Sequence, residues 1–279
     1  MVVTNWSVKV NWPRSVRVVS LLLASPLAMA ATGLPFTSSF ERGDFSEWDG
    51  GLETSMSVTS TDATNGSLAA QARMTRGQAA DNYKDYIFGD HARIGGEPVT
   101  PTTGIWLRLD SKFDQGFVFG GAANLHKIAI INFEDENGRR RYQVIINVAN
   151  RSRDYFVEHL KWNADRSFNR AIPGLEQNVG ASAQARLGQW DRLMLFLRPN
   201  TPGNSDGEMR FWVNGELKAD HRNISLREGT TYNPNKLIMS NYVTDTSTEG
   251  VQRWDYFYLG ETNPEADVRP MPPQAVTAH

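Results

Sequence analysis

Apolar and polar residues alternate one by one along much of this chain, and a period of two restricts it to β-structure. Ile105-Trp106-Leu107-Arg108-Leu109-Asp110 is one such run. Leu193, Leu195 and Leu197 alternate with Arg192, Met194, Phe196 and Arg198, and Met209, Phe211 and Val213 alternate with Arg210, Trp212 and Asn214. Lys127–Phe133 is nearly all apolar, which predicts a strand buried on both faces. Trp254–Leu259 reads as a final strand. Glu136-Asn137-Gly138-Arg139 predicts a hairpin with a type I′ turn, its second strand running from Arg140 to Val148, and Asn214-Gly215 turns the chain again. Long helical periodicity is absent. Many strands, Gly/Asn turns and few helices predict an all-β, antiparallel sandwich.

The two ends read differently. Lys9, Arg14 and Arg17 form a positive leader without an acid, followed by an apolar stretch from Val18 to about Leu27 and by Ala28-Met29-Ala30. This is the pattern of a secretory signal peptide cleaved after Ala30, and it predicts a secreted or periplasmic protein. The apolar stretch falls short of the roughly 20 residues a membrane span needs. Residues 31–39 are small and polar, a flexible lead-in. The β-rich body occupies 40–262, the size of one large domain. Residues 263–279 form a Pro-rich tail without periodicity, predicted to be disordered.

Composition excludes several functions. The formal net charge is −2, and losing the basic leader makes the remainder more acidic, which excludes a nucleic-acid binder. With no cysteine, zinc-thiolate sites and cysteine nucleophiles are ruled out. The nucleophile elbow, the P-loop, the dinucleotide fingerprint and the His-Glu-x-x-His motif are missing, so no organic cofactor is expected. Arginine dominates the 29 basic residues, and its planar fork suits carboxylate or sulfate.

Three segments carry a resemblance. Phe40-Glu41-Arg42-Gly43-Asp44-Phe45-Ser46-Glu47-Trp48-Asp49 is similar to an opening strand. Gly188-Gln189-Trp190-Asp191-Arg192 with Asp206–Leu217 is similar to a Trp and Asp-Gly hairpin. Trp254–Leu259 is similar to the closing strand that pairs with the opening one. Together they resemble the concanavalin A-like jelly roll of lectins, laminarinase-type glucanases and polysaccharide lyases. The resemblance implies a jelly-roll β-sandwich that takes a polysaccharide on one concave sheet, and a monomer is expected.

Two enzyme chemistries are then in play. Glycoside hydrolysis needs two placed carboxylates. The nearest candidate, Glu134-Asp135-Glu136, departs from the glucanase spacing and reads as a solvated hairpin tip. Uronate β-elimination needs a group that neutralises the carboxylate, a base for the α-proton and an acid for the leaving oxygen. Alternation puts Trp106, Arg108, Arg192, Arg210 and Trp212 on non-core positions, where they form either a cationic and aromatic groove or an ordinary convex surface. Related lyases carry a Gln-x-His strand motif, and Asn124-Leu125-His126 is the similar stretch here. The expected catalytic set is His126, Tyr142, Arg108 and Arg192, with base and acid unassigned between His126 and Tyr142. Trp106, Asn124, Lys127, Arg210 and Trp212 are the expected substrate contacts. His91 precedes a Gly/Pro loop reaching Thr103 that is either a lid or a plain surface loop. Resembling domains bind Ca²⁺ where the terminal strands meet, which implies Glu41 and Asp255 as ligands. The expected function is a polysaccharide lyase acting on a uronate polymer. The alternatives are a non-catalytic carbohydrate-binding module or lectin, and a matrix scaffold.

Overall fold

A computed structural model of the protein describes residues 33–99, 102, 104–121, 125–170 and 183–266. The leader 1–30, the first two residues of the lead-in, Asn124 and the tail beyond 266 lie outside the described residues. No described helix is long and apolar enough to cross a membrane.

Two antiparallel sheets form a jelly-roll sandwich. Sheet A contains β1 (Phe36–Ser38), β3 (Met56–Thr59), β4 (Ala69–Met74), β6 (Ile105–Phe113), β11 (Trp190–Arg198), β12 (Gly207–Val213), β13 (Glu216–Ile224) and β15 (Gly250–Gly260). Its order is β13-β12-β11-β6-β15-β4-β3, with β1 also on β15. Sheet B contains β2 (Gly50–Leu52), β5 (Tyr83–Ile87), β7 (Leu125–Glu134), β8 (Arg140–Ala149), β9 (Tyr155–Trp162), β10 (Phe168–Arg170) and β14 (Pro234–Ser240). Its order is β10-β9-β8-β7-β14-β5-β2.

Alternation decides what lies between the sheets. Ile105, Leu107 and Leu109 of β6 share the interior with Leu193, Leu195 and Leu197 of β11 and Met209, Phe211 and Val213 of β12. Sheet B meets them with Ile131 and Phe133 of β7, Val144 and Ile146 of β8, and Leu237 and Met239 of β14. Each fully buried large side chain contributes about 1.5–3 kcal/mol, so this layer dominates the stability. The apolar run in β7 is buried on both sides. Its outward Ile130 joins Ile145 and Leu160 in a second cluster, against Trp162 and Ile238.

Three local expectations need correction. The opening strand is Phe36–Ser38, inside the expected flexible lead-in, and it pairs with Phe257–Leu259. Residues 40–49 instead form turns, beginning with Phe40 in the left-handed region at φ 61°. The turn at Asn137-Gly138 is not type I′, because only Gly138 has a positive φ. There the Asp135 carboxylate accepts from the backbone of Asn137 and Arg139 and sets a longer loop. The type I′ signature is found at Asn214 (φ 53°) and Gly215 (φ 83°). The tail also begins in contact with the domain, since Glu265 meets Arg192 at 2.9 Å.

Candidate active site

The outward face of sheet B forms a groove of about 480 Å³, with Tyr83, Asp85, Lys127, Arg140, Trp162 and Tyr242 among its walls. Ile130 and Ile238 form an apolar floor. Strand parity places the polar groups. A bulge between Lys127 and Ala129 lets Lys127 face outward while Ile128 and Ala129 both join the core. Beyond it, Asn132 and Glu134 alternate with the interior Ile131 and Phe133.

Lys127 and Tyr242 pack against each other in this groove. The Lys127 Nζ lies 4.5 Å from the centre of the Tyr242 ring. The Lys127 backbone N–H donates to the Tyr242 carbonyl at 3.1 Å, which fixes one residue against the other. Burial lowers the Lys127 ammonium below the usual lysine range; Glu158 opposes this, Arg140 adds to it, and Asp81 opposes it. Arg140 lies over the Trp162 ring at 4.0 Å and brings a second cation to the same groove.

A hydrogen-bonded chain holds the neighbouring polar groups in place. Trp162 Nε1 donates to Gln143 Oε1 at 2.8 Å, Gln143 Nε2 donates to Asn132 Oδ1 at 2.7 Å, and Asn132 Nδ2 donates to Glu134 Oε1 at 2.8 Å. Glu134 also meets Lys236 at 3.1 Å and His91 at 3.0 Å. His91 therefore props the buried Glu134 from behind. Glu134 and Asp135 are buried, not a solvated tip, and Asp135 is held by Arg141 at 2.7 Å. Only Glu136 of that trio is exposed. Glu134 is thus saturated with donors, which fits a positioning role and not a glycosidase acid.

The expected constellation is split three ways. His126 is 0 % exposed and faces the interior. Its ring lies 5.2 Å from Phe113 and 5.8 Å from Phe117, and Nε2 pairs with Gln252 Oε1 at 2.5 Å. Tyr142 also faces the core and stacks on His159 at 5.8 Å; burial raises its hydroxyl, with Glu228 adding to the shift. Neither side chain lines the groove, so the expectation that they move protons is corrected by their inward parity. Arg108, Arg192, Arg210, Trp106 and Trp212 occupy the outward face of sheet A, on the other side of the sandwich. Lys127 is the one expected contact found in the sheet B groove; Asn124 lies outside the described residues. Sequence reasoning missed Arg140, Trp162 and Tyr242. Counting outward by twos from Lys236 through Ile238 and Ser240 reaches Tyr242.

Glu41 and Asp255 do not fit a calcium site. Glu41 Oε1 accepts from the Ser67 and Leu68 amides, both at 2.8 Å. Asp255 Oδ2 accepts from the Thr64 and Asn65 amides at 2.7 and 2.8 Å. A cation wants converging oxygens, whereas N–H groups converge on these carboxylates. Among the described residues no group of three or more His, Asp and Glu side chains is arranged for a metal. Excess chelator is therefore expected to leave the melting temperature unchanged; a fall restored by added Ca²⁺ would reinstate the metal.

The polysaccharide lyase family profile matches residues 40–238. The chain belongs to the polysaccharide lyase family. Solved structures agree on the fold. The endo-β-1,4-glucuronan lyase of the fungus Trichoderma reesei superposes with a TM-score of 0.57 at 14% identity, over 81% of this chain and 95% of that one. A mutant of the alginate lyase Aly36B in complex with an alginate trisaccharide gives 0.55 at 11% identity, over 84% and 100%. The alginate lyase vAL-1 from Chlorella virus gives 0.52 at 15%, over 77% and 93%. At such identities the likeness is one of fold. No curated protein sequence matches this polysaccharide lyase.

Proposed function

We propose that this polysaccharide lyase cleaves a uronate-containing polysaccharide by β-elimination in the sheet B groove. The observation that carries the reading is the half-buried Lys127 ammonium against Tyr242, next to Arg140 stacked on Trp162. Arg140 faces the carboxylate of the reacting sugar and makes its C5 proton more acidic. Lys127, biased by burial toward the free amine, takes that proton. The electron pair forms the C4=C5 double bond, the C4–O bond to the leaving sugar breaks, and the Tyr242 hydroxyl protonates the departing oxygen. The apolar floor of Ile130 and Ile238 lowers the local dielectric and strengthens each charge effect. The glucuronan and alginate lyases that share the fold support a uronate substrate.

Incubation with glucuronan, alginate and polygalacturonate, followed by ultraviolet absorbance of the unsaturated product, tests the reading. At least one is expected to give product, and neutral glucans none. Lys127→Ala is expected to lower kcat by about 10²–10⁴-fold. Lys127→Arg, which stays charged and cannot serve as a base, is expected not to rescue it. Full rescue by arginine would assign Lys127 to charge neutralisation. Absence of product from all uronate polymers would remove the substrate assignment.

A further inference from the structure

We propose that the opposite face of the sandwich carries a second sugar site, one that holds a single uronate unit without cleaving it. The inference rests on the lyase reading only for the class of sugar. The site is a pocket of about 390 Å³ on the outward face of sheet A, large enough for a small ligand. Among the described residues, its floor contains two buried polar atoms without a hydrogen-bond partner, Arg108 Nε and Asp110 Oδ1. Asp110 is 5 % exposed. Buried polar atoms are nearly always satisfied, so an orphaned donor beside an orphaned acceptor points to an outside partner.

The surroundings say what that partner is. Arg192 Nε lies 3.8 Å from Asp110 Oδ1, and an Arg108 terminal nitrogen lies 3.8 Å from Oδ2; both are too long for hydrogen bonds. Arg192 Nη1 already donates to Glu265 at 2.9 Å, and a carboxylate lying between the two guanidinium groups takes up the N–H capacity that remains on Arg192 and Arg108. A neighbouring hydroxyl donates to Asp110 Oδ1. A uronate sugar has both groups on one ring. Trp190 and Tyr256 provide aromatic walls. Trp190 is fixed by its indole N–H, which donates to Asp62 Oδ1 at 2.9 Å. Tyr256 lies beneath Arg108, whose guanidinium is 3.9 Å from the ring centre. Tyr256 reaches this position through a left-handed backbone, φ 48°, at a bulge in β15. A bulge of this kind re-aims the side chain it carries, here toward the pocket. The loop above is held as well, since Asp255 holds the Thr64 and Asn65 amides and Thr64 Oγ1 lies 2.9 Å from Asp110 Oδ2.

The two grooves lie on opposite sheets, so one short segment of polymer cannot fill both. A site here anchors the enzyme to a long or branched chain while another stretch enters the sheet B groove, which raises the effective concentration of substrate.

The test uses uncleavable probes on the whole protein. The Trp190 indole N–H resonance, assigned by its loss in Trp190→Phe, is followed by NMR during titration with free D-glucuronate, D-mannuronate and D-galacturonate. Saturable shifts are expected with at least one uronate and not with D-glucose or acetate. Arg192→Ala, at an outward and half-exposed position, is expected to weaken binding by about tenfold or more. Equal shifts with acetate or glucose, no shift with any uronate, or unchanged affinity in Arg192→Ala would overturn the site. Product formation measured in parallel separates the two proposals. Product without a Trp190 shift removes the second site alone, and a Trp190 shift without product keeps the site and removes the substrate reading of the sheet B groove.

Discussion

Tyr242→Phe is expected to lower the rate of product formation by about 10²–10⁴-fold, the range for losing a proton-transfer group. The substitution removes one oxygen and keeps the ring that lies 4.5 Å from Lys127 Nζ. The groove keeps its shape and its charge, so KM is expected to change little while kcat falls. That split is the mark of an interaction made in the transition state. A kcat within a few-fold of the parent would take Tyr242 out of the chemistry. A matching rise in KM would make it a binding residue instead.

The second large effect is on stability, and it comes from the histidine that the sequence put in the active site. Burial pushes His126 and His159 each down to about 4, against 6.5 for a free histidine. Both are therefore neutral in the folded protein at neutral pH. The unfolded chain takes up protons on these residues near pH 6.5, and the folded protein does so only near pH 4. Stability rises with pH wherever the unfolded state binds more protons. The contribution is thus complete above about pH 6.5 and is lost as pH falls toward 4. A shift of this size amounts to about 3 kcal/mol for each histidine, against a total stability of about 5–15 kcal/mol for a typical domain. Urea unfolding between pH 7.5 and 4.5 is expected to show a steep loss. Asp110 and Asp255, which burial raises above the usual carboxylate range, act in the opposite direction. The diagnostic comparison is therefore with His126→Gln and His159→Gln, each expected to flatten the slope. An unchanged slope in both variants would clear the histidines of the effect.

Sheet A was legible because its strands alternate cleanly. Once Leu193, Leu195 and Leu197 are assigned inward, the faces of Arg192, Phe196 and Arg198 follow, and the facing strands repeat the pattern. Sheet B was not, for two reasons. The run from Lys127 to Phe133 is apolar on both faces, so hydrophobicity carries no parity there. The bulge at Lys127–Ala129 then shifts the count by one residue, unseen in the sequence. The stretch Asn124-Leu125-His126 drew attention to an amide two residues before an ionisable group. The same spacing recurs facing the groove at Asn132 and Glu134, eight residues later. Tyr242 lies just past the end of a strand and belongs to no motif. It reaches the groove because β14 lies beside β7, a pairing between residues more than a hundred positions apart. The terminal acids were misread because the sequence does not reveal that backbone N–H groups turn toward them.

The position of β15 also dictates the order of assembly. It is the last strand among the described residues, yet it lies within sheet A, bonded to β6, β4 and β1. Until it is made, the earlier strands of that sheet have a gap where their longest neighbour belongs. Sheet A therefore closes only after Gly250–Gly260 has left the ribosome, well after the strands it joins. Such late, distant pairing makes folding slow and leaves unpaired edges open to association with other chains. A nonsense mutation shortly before Gly250 would remove a seam from the middle of the sheet, and the edges of β4 and β6 would be left exposed.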